Sequence, residues 1–347
     1  MAARFTVYNC IVTPKKLEKC NKKNLELTED FLDYLKSIDR ADTTIKQYRN
    51  DLNIFWCWNL EENNNKDFIQ ITKREFAKMQ RHCLEKWGWG SQRVRRFKST
   101  ISSLSNYIEN ILDDEEEYVG YRSSIKKIES PAKAATRIKT VFKMEELQCL
   151  LDHLVADGEY MKACVIALCI YSGRRKAEIP RFKVSYFDDE NVKFGGAMWK
   201  TNEPVKTKGR GKGKFIELYV LRNQFLPYLN LWLEERDRLG IESEWLFPRK
   251  ERNKWLDEQM HTETMDSWVP EFSRFLGKDF YYHSLRHFFT TMLGDYNIPA
   301  NVIQAIVGWE SADMVTLYQD TDADDSIGKY FDENGIKQVE AGSLSNM

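Results

Sequence analysis

Two short stretches decide the fold and chemistry of this 347-residue chain, SGRRKAEI at 172–179 and HSLRH at 283–287. The first places a glycine at a predicted helix end and Arg175 at the start of the next element. The second begins a predicted helix with His283 and Arg286 three residues apart, so both side chains project from one face. A guanidinium group offers a tetrahedral phosphate a fixed pair of donors that a lysine ammonium lacks. The two stretches therefore suggest a phosphate site built from distant parts of the chain.

Three further features follow along the chain. A lysine-rich turn at 206–214 lies between two stretches that are predicted as strands. Gly308 and Trp309 form a predicted turn, and Tyr318 follows nine residues after Trp309. An indole N–H donates a hydrogen bond but never accepts or transfers a proton. Trp309 is therefore predicted to position other groups rather than to act as an acid or a base.

Each of these pieces has an ordinary structural explanation when it is taken alone. Tyr318 at the end of an apolar helix would most often be a core or interface residue. Arg174 and Arg175 could be surface cations, and His287 is predicted to be a structural helix residue. The turn at 209–214 is similar to a phosphate-binding loop, but that pattern needs a glycine at position 208 and a hydroxyl at 215. Other tyrosines offer the same chemistry as Tyr318: Tyr281, Tyr282 and Tyr330.

In order and spacing, these residues resemble the tyrosine recombinase (lambda integrase-like) family, of the phage or mobile-element integrase type. The resemblance covers about residues 141–319 and rests on the glycine-x-arginine-x-x-glutamate box, the hairpin lysine, the His-x-x-Arg box, the Gly-Trp step and the tyrosine. It implies a mainly α fold with a small antiparallel β-hairpin sheet, in which a helical core-binding domain precedes an α+β catalytic domain. It also implies a site-specific DNA recombinase that works through a 3′-phosphotyrosyl intermediate, without a metal, a cofactor or ATP.

The resemblance assigns a catalytic role to six residues and a supporting role to one. Tyr318 would attack the phosphodiester, and Arg175 and Arg286 would meet the charge of the transition state. His283 would be the general base, and Lys208 would protonate the leaving 5′-oxygen, with Lys206 in reserve. The remaining two would act by position: Trp309, and Glu178 as an orienting residue.

Composition and charge limit the class of protein. Hydrophobic residues make up 42% of the chain and charged residues 30%, which excludes wholesale disorder. The apolar runs are far shorter than the ~20 residues that a membrane-spanning helix needs, and the N-terminus lacks a secretory apolar region. The seven cysteines contain no C-x-x-C pair, so a disulfide framework is not indicated. We expect a cytoplasmic protein, associated with the nucleoid of a prokaryotic host.

Apolar periodicity indicates how the chain is organised. Four amphipathic helices are predicted before residue 112, one of them with a capping box formed by Thr72 and Glu75. Two strands are predicted in the second domain, at 186–199 and 215–221, as part of a three-stranded sheet. Helices are predicted around this sheet at 144–154, 162–171, 224–239, 283–293, 301–307 and 314–318. The predicted divisions are an irregular arm at 1–24, a helical core-binding domain at 25–112, a linker at 113–139, a catalytic domain at 140–318 and a tail at 319–347.

Basic side chains form two clusters, although the net charge of the chain is −1. Either cluster could neutralise phosphates, or it could simply be a solvated face. The predicted partner is double-stranded DNA with a specific recombination site, bound by a homotetramer, with a possible directionality factor. The predicted DNA contacts are Lys86, Arg93, Arg95, Arg96 and Lys98 in the first cluster, and Lys206, Arg210 and Lys212 in the second.

Three other functions were weighed against recombination. A type IB topoisomerase would share the chemistry and relax DNA without a second site. A non-catalytic DNA-binding regulator could retain the fold without reacting. A helical-repeat scaffold is disfavoured, because the sequence has no internal repeat.

Overall fold

The computed structural model describes residues 7–132, 140–207 and 214–309, together with the backbone of two short strands further on. These residues divide into an N-terminal unit, 7–132, and a C-terminal unit that begins at 140. The fold is mainly α with small antiparallel sheets, as predicted. Among the described helices, none is both long enough and apolar enough to cross a membrane.

Six α-helices form most of the N-terminal unit. The predicted capping box is present: the Glu75 amide donates to Thr72 Oγ1 at 3.4 Å, and the Thr72 amide donates to Glu75 Oε2 at 2.9 Å. Short 3₁₀ turns follow α4 and α6, at Phe68–Gln70 and Ile125–Lys127. The helices are α1 (Val7–Ile11), α2 (Pro14–Leu17), α3 (Lys22–Ser37), α4 (Asp42–Glu62), α5 (Lys73–Glu85) and α6 (Ser91–Ile111).

Aromatic side chains fill the core of this unit. Phe55 of α4 is fully buried and contacts Phe68, Phe76 and Phe97, whose ring centroids lie 6.0–6.5 Å from its own. Trp56 is buried beside it, and its indole N–H donates to the Thr28 hydroxyl of α3 at 2.8 Å. Rings of this size bury a large apolar area, so α4 is the central helix of the unit.

The prediction of irregular structure for the arm at 1–24 is wrong over its described part. Thr13 caps α2 by accepting from the Lys16 amide at 3.3 Å. Asn21 caps α3 in the same way. Ile11 and Cys20 are buried in the aromatic core. Helices of four or five residues are too short to show apolar periodicity, so the caps were the available sequence signal.

The prediction of a linker at 113–139 also needs correction for the part that is described, 113–132, which packs on the N-terminal unit. Ile125 is 1% exposed and packs into the N-terminal core. The Lys98 ammonium of α6 donates to the Ser130 hydroxyl at 3.1 Å and to the Ile128 carbonyl. Tyr118, Tyr121 and Ile128 pack on the same core while only partly buried. The sequence resembles a connector because of its acidic run at 113–117 and the serines that follow.

The C-terminal unit contains six further α-helices within its described residues. Its central helix is the apolar α8, which packs against α7, α9 and α11. The helices predicted at 144–154, 162–171, 224–239, 283–293 and 301–307 are present with small shifts of boundary, and the one predicted at 314–318 lies outside the described residues. One further helix, α10, was not predicted. The helices are α7 (Met144–Ala156), α8 (Tyr160–Ser172), α9 (Arg222–Arg238), α10 (Thr262–Leu276), α11 (Tyr282–Asp295) and α12 (Ala300–Val307).

Within the described residues, the strands are short and pair in antiparallel fashion. The three-stranded sheet has the order β1-β2-β5, and β3 pairs with β4 to form a hairpin. An unpredicted hairpin joins β6 to β7, and β8 pairs with β9. The strands are β1 (Val192–Lys193), β2 (Met198–Lys200), β3 (Val205–Thr207), β4 (Lys214–Ile216), β5 (Tyr219–Leu221), β6 (Pro248–Glu251), β7 (Lys254–Gln259), β8 (Phe331–Asp332) and β9 (Gly335–Ile336).

Both predicted strands need correction. The one at 186–199 begins too early, because 184–191 forms two 3₁₀ turns that precede β1. The one at 215–221 is divided between β4 and β5, which belong to different sheets. The division falls at Leu218, whose backbone amide donates to the Thr201 hydroxyl and whose carbonyl accepts from the Thr201 amide, both at 3.0 Å.

Candidate active site

The arginine box begins where α8 ends. Gly173 follows the last residue of α8 in a left-handed conformation, with φ of +59°. A Cβ atom at this position would lie 2.3 Å from Cδ1 of Phe289 in α11. Only glycine meets both conditions, because other residues pay a steric cost at positive φ and would collide with the ring.

Arg175 is held at the start of the following 3₁₀ turn by Glu178. The Glu178 carboxylate accepts from the Arg175 amide at 3.0 Å and from Arg175 Nη1 at 3.2 Å. Glu178 is 2% exposed in its side chain and Arg175 is 31% exposed. The buried carboxylate therefore orients a guanidinium that still reaches the surface.

Arg286 projects from α11 and joins three segments. Nη1 donates to the Gly173 carbonyl at 2.7 Å, and Nη2 donates to the Val307 carbonyl at 3.2 Å. The guanidinium carbon lies 5.3 Å from the centroid of the Trp309 ring, within the range of a cation–π contact. Arg286 is 1% exposed. Its position is thus fixed by the ends of α8 and α12 and by the indole.

His283 lies one helical turn before Arg286 on α11, with part of its ring exposed to solvent. Partial burial lowers the pKa of His283, and the positive charges of Arg286 and then Arg175 lower it further. The two arginines are therefore both close enough to the imidazole to act on it. A neutral imidazole at pH 7 can accept a proton.

Gly308 and Trp309, which follow α12, also border this site. Gly308 ends α12 with φ of +74°, and a Cβ atom there would lie 2.3 Å from Cδ1 of Ile216 in β4. Trp309 is 6% exposed, and its amide donates to the Gln304 carbonyl at 3.1 Å. A cavity of about 310 Å³ opens beside them, and Lys214 is among its lining residues. The β3–β4 hairpin therefore packs against the end of α12.

The site thus gathers two guanidinium groups and an imidazole from separate parts of the sequence. Such a set can bind a phosphodiester, stabilise added negative charge on its oxygens and accept a proton. In the ranges that the structure describes, no group of His, Cys, Asp and Glu side chains is arranged to hold a metal ion.

Comparison with known proteins gives the family. The sequence model described as the phage integrase family matches residues 140–324, which is more than half of the chain. The chain belongs to this family. It is a tyrosine-type site-specific recombinase, and neither a topoisomerase nor a non-catalytic regulator is favoured by its relatives.

Two relatives and one solved structure illustrate the similarity. An SPbeta prophage-derived recombinase-like protein, YomM, of Bacillus subtilis (strain 168) is 29% identical over 254 residues, covering 71% of this chain and 73% of that protein. A tyrosine recombinase of Thermosipho africanus (strain TCF52B) is 21% identical, covering 84% and 94%. The crystal structure of the XerH site-specific recombinase on palindromic difH DNA matches with a TM-score of 0.63 at 17% identity, covering 88% and 94%, which shows that the fold is shared.

Several predicted site residues of the recombinase lie outside the described residues. They keep the roles that the resemblance implies as predictions. Lys206, the reserve general acid, is described: it is an exposed residue of β3, and its carbonyl accepts from the guanidinium of Arg181. The residues outside are Tyr318, Lys208, Arg210 and Lys212.

The first basic cluster is divided between the surface and the interior. Lys86 is exposed and forms an ion pair with Glu62, with Nζ and Oε1 3.2 Å apart. Arg96 is also exposed, with Nε 3.9 Å from a carboxylate oxygen of Asp51. The Lys86 pair is largely exposed to solvent and therefore weak, whereas the Arg96 pair joins an exposed guanidinium to a buried carboxylate.

The other members of the cluster have internal partners. Arg93 Nη2 lies 2.6 Å from Asp51 Oδ1, and its guanidinium packs on the Trp89 ring at 4.2 Å. Arg95 Nη1 donates to the Pro131 carbonyl at 2.7 Å. The prediction that Lys98 contacts DNA is wrong, because its side chain is buried and its ammonium is bound by the 128–130 segment.

Arg174 is buried, unlike Arg175 beside it. The alternative of a surface cation is wrong for this residue, which is 1% exposed and enclosed by backbone carbonyls. No sequence pattern distinguishes it from Arg175, its neighbour. Tyr282 is excluded as a nucleophile by its place in the core, where its hydroxyl donates to the Met265 carbonyl at 2.9 Å. His287 is buried in α11, consistent with a structural role.

Proposed function

We propose that this recombinase cleaves and rejoins DNA through a covalent bond between Tyr318 and a 3′-phosphate. The observation that carries the proposal is the convergence of Arg175, Arg286 and His283, with Arg286 bonded to the turn that leads into Arg175. The phenol oxygen of Tyr318 attacks the phosphorus atom, and the bond from phosphorus to the 5′-oxygen breaks. Religation is the reverse reaction with a 5′-hydroxyl, so the phosphodiester energy is kept without ATP or a metal ion.

The two arginines have the same electrostatic role from different positions. Charge in the transition state lies on the non-bridging oxygens of the transferred phosphoryl group. Arg175 is oriented by Glu178 and Arg286 by two backbone carbonyls, so neither cation has to reorganise during the reaction. Loss of one such positioned donor costs about 2.7–4 kcal/mol in the barrier of comparable sites.

Two proton transfers accompany the exchange. His283, with its lowered pKa, accepts the phenolic proton of Tyr318 during cleavage and returns it during religation. Lys208 donates a proton to the departing 5′-oxygen, with Lys206 as the alternative donor on the same hairpin. Trp309 takes no part in proton transfer and supports Arg286 through its ring.

The proposed partner is a specific recombination site in double-stranded DNA, because solved relatives of the same fold carry such DNA in their complexes. Lys86 and Arg96 supply backbone contacts from the N-terminal unit, and Arg210 and Lys212 supply them from the hairpin turn. Strand exchange joins two sites, so the proposed working form is a DNA-bound homotetramer. A directionality factor and a cytoplasmic, nucleoid-associated location belong to the same proposal.

The test is a covalent trap. A nicked duplex taken from the DNA that flanks the gene releases a short strand on cleavage, which prevents religation. The parent protein and a Tyr330→Phe control should form a covalent product that peptide mapping assigns to residue 318. Tyr318→Phe should bind the duplex and form no product. Attachment at another tyrosine, or a covalent product from Tyr318→Phe, would refute the proposal.

A further inference from the structure

Two helices of the C-terminal unit end at the same place. The last carbonyl groups of a helix have no partner within the helix, and they carry the negative end of its dipole. The end of α8 presents the carbonyls of Ser172 and Gly173, and the end of α12 presents those of Ile306 and Val307. Two such ends repel each other unless positive charge lies between them.

Buried guanidinium groups supply that charge. Arg286 bridges the Gly173 and Val307 carbonyls, as described above. Arg174 bridges the other two carbonyls: its Nε donates to Ser172 at 3.0 Å, and its Nη2 donates to Ile306. The two arginines thus form parallel connections between the end of α8 and the end of α12.

Burying the guanidinium of Arg174 carries a large desolvation cost. It is 1% exposed, and burial lowers its pKa to about 10, so it remains charged at neutral pH. An apolar side chain of similar volume would fill the same space without the cost of desolvating a cation. What the guanidinium adds is a pair of directional bonds that fix one helix end relative to the other.

We propose that Arg174 is a positioning residue for strand cleavage. It holds the end of α12, and with it the chain that continues through Gly308 and Trp309 toward Tyr318, against the segment that carries Arg175. Arg286 contributes to the same junction, but it must also direct donors at the phosphate. Arg174 does not bind the phosphate, so it holds the end of α12 at the end of α8 while Arg286 binds DNA. This inference rests on the proposed function of Tyr318 and Arg286.

The chain offers a matched control for the test. Arg236 of α9 is also buried, at 4% exposure, and donates to the carbonyls of Ser243, Trp245 and Leu246 at 2.6–3.0 Å. Arg236→Met and Arg174→Met each remove a buried guanidinium bound to backbone carbonyls and keep a long side chain. Both variants are expected to lower the thermal midpoint. Only Arg174→Met should lower the rate of strand cleavage.

The first measurement is single-turnover cleavage of the nicked duplex at saturating protein, normalised to the fraction of molecules that are folded. We expect Arg174→Met to cleave on the order of 10- to 100-fold more slowly, because small displacements of a reacting group have effects of this size. Its DNA affinity should equal that of the parent, and Arg174→Lys should recover part of the rate. The defect should persist on a duplex with sulfur as the bridging 5′ atom, a leaving group that needs no acid.

A second measurement does not depend on catalysis. The amides of Gly308 and Trp309 both donate to the Gln304 carbonyl, so their hydrogen exchange reports the order of this segment. Exchange there should be faster in Arg174→Met than in the parent or in Arg236→Met. The inference is overturned if Arg174→Met retains the parent's cleavage rate, if Arg236→Met is slowed equally, or if exchange at these two amides is unchanged. A parent protein that forms no covalent product would refute the proposed function instead, and the exchange result would then show only whether Arg174 orders the end of α12.

Discussion

Nη1 of Arg286 donates a hydrogen bond to the carbonyl oxygen of Gly173, with 2.7 Å between the two atoms. This bond ties the His-x-x-Arg box of α11 to the turn of the arginine box, two residues before Arg175. Gly173 makes the turn possible, because it alone combines a positive φ with space for the Phe289 ring. One glycine therefore determines both the direction of Arg175 and a bonding partner of Arg286.

Replacing Arg175 should slow DNA cleavage with little change in DNA affinity. Arg175→Ala should slow single-turnover cleavage by about 100- to 1,000-fold, the range found when one positioned donor is removed from a transition-state site. DNA affinity should change little, since most phosphate contacts are elsewhere. The matched control is Lys176→Ala, which removes the neighbouring cation and its ion pair with Asp266. Equal losses in the two variants would contradict a specific role for Arg175.

Gly173→Ala should destabilise the C-terminal unit. The left-handed conformation costs a residue with a Cβ atom roughly 1–2 kcal/mol, and the collision with Phe289 adds to this. Gly158 is a suitable control, because its φ is +72° but a Cβ atom there would meet nothing within 4 Å. Urea unfolding should show a larger loss for Gly173→Ala than for Gly158→Ala. Equal losses would mean that the Phe289 ring moves aside without cost.

The residues predicted for the site follow from spacing along the sequence, whereas the role of Arg174 follows from the tertiary structure. Arg175, His283 and Arg286 were predicted as site residues because their order and spacing form a pattern that no single residue carries. Arg174 has the same side chain as Arg175, yet the turn at Gly173 directs one guanidinium inward and the other toward the surface. The inward direction of Arg174 depends on the position of the end of α12, whose Ile306 carbonyl binds its guanidinium, and this position is set by the tertiary structure.

The missed elements of the fold have local causes. In α10, Met265, Trp268 and Phe272 are buried at helical spacing, but Pro270 lies within the pattern and ordinarily ends a helix. In the arm, α1 and α2 are shorter than two turns, so the Thr13 cap of α2 and the Asn21 cap that starts α3 were the local signals. Longer helices were found for two reasons: α6 buries residues on a regular stripe, and α8 is a continuous apolar run that is buried from Ala163 to Ser172.

Asp51 organises the basic surface of the N-terminal unit. Its side chain is 2% exposed, lies 2.6 Å from Arg93 and accepts from the Thr100 hydroxyl at 3.2 Å. Asp51→Asn should reduce the free energy of unfolding by about 3 kcal/mol, because it leaves a partly buried cation without its counter-charge. Asp33→Asn breaks the exposed pair with Lys36 and should cost less than ~0.5 kcal/mol. Similar unfolding midpoints for the two variants would show that Asp51 does not hold this surface together.

The titration of His283 tests the electrostatics of the site directly. In the free protein its pKa should lie below 6.5, because packing and the charges of Arg286 and Arg175 disfavour the imidazolium form. A folded-state pKa below that of the unfolded chain means that this group favours folding above pH 6.5 and loses that contribution as pH falls through the folded value. NMR of the ring protons measures the pKa without requiring catalysis. Arg175→Gln removes a positive charge and should raise the pKa of His283, whereas Arg175→Lys keeps the charge and should leave it near the parent value. Both substitutions remove the bidentate donor, so an equal change in the pKa of His283 in the two variants would assign the effect to lost packing. A pKa of His283 at or above 6.5 in the parent would exclude the arrangement of charges described here.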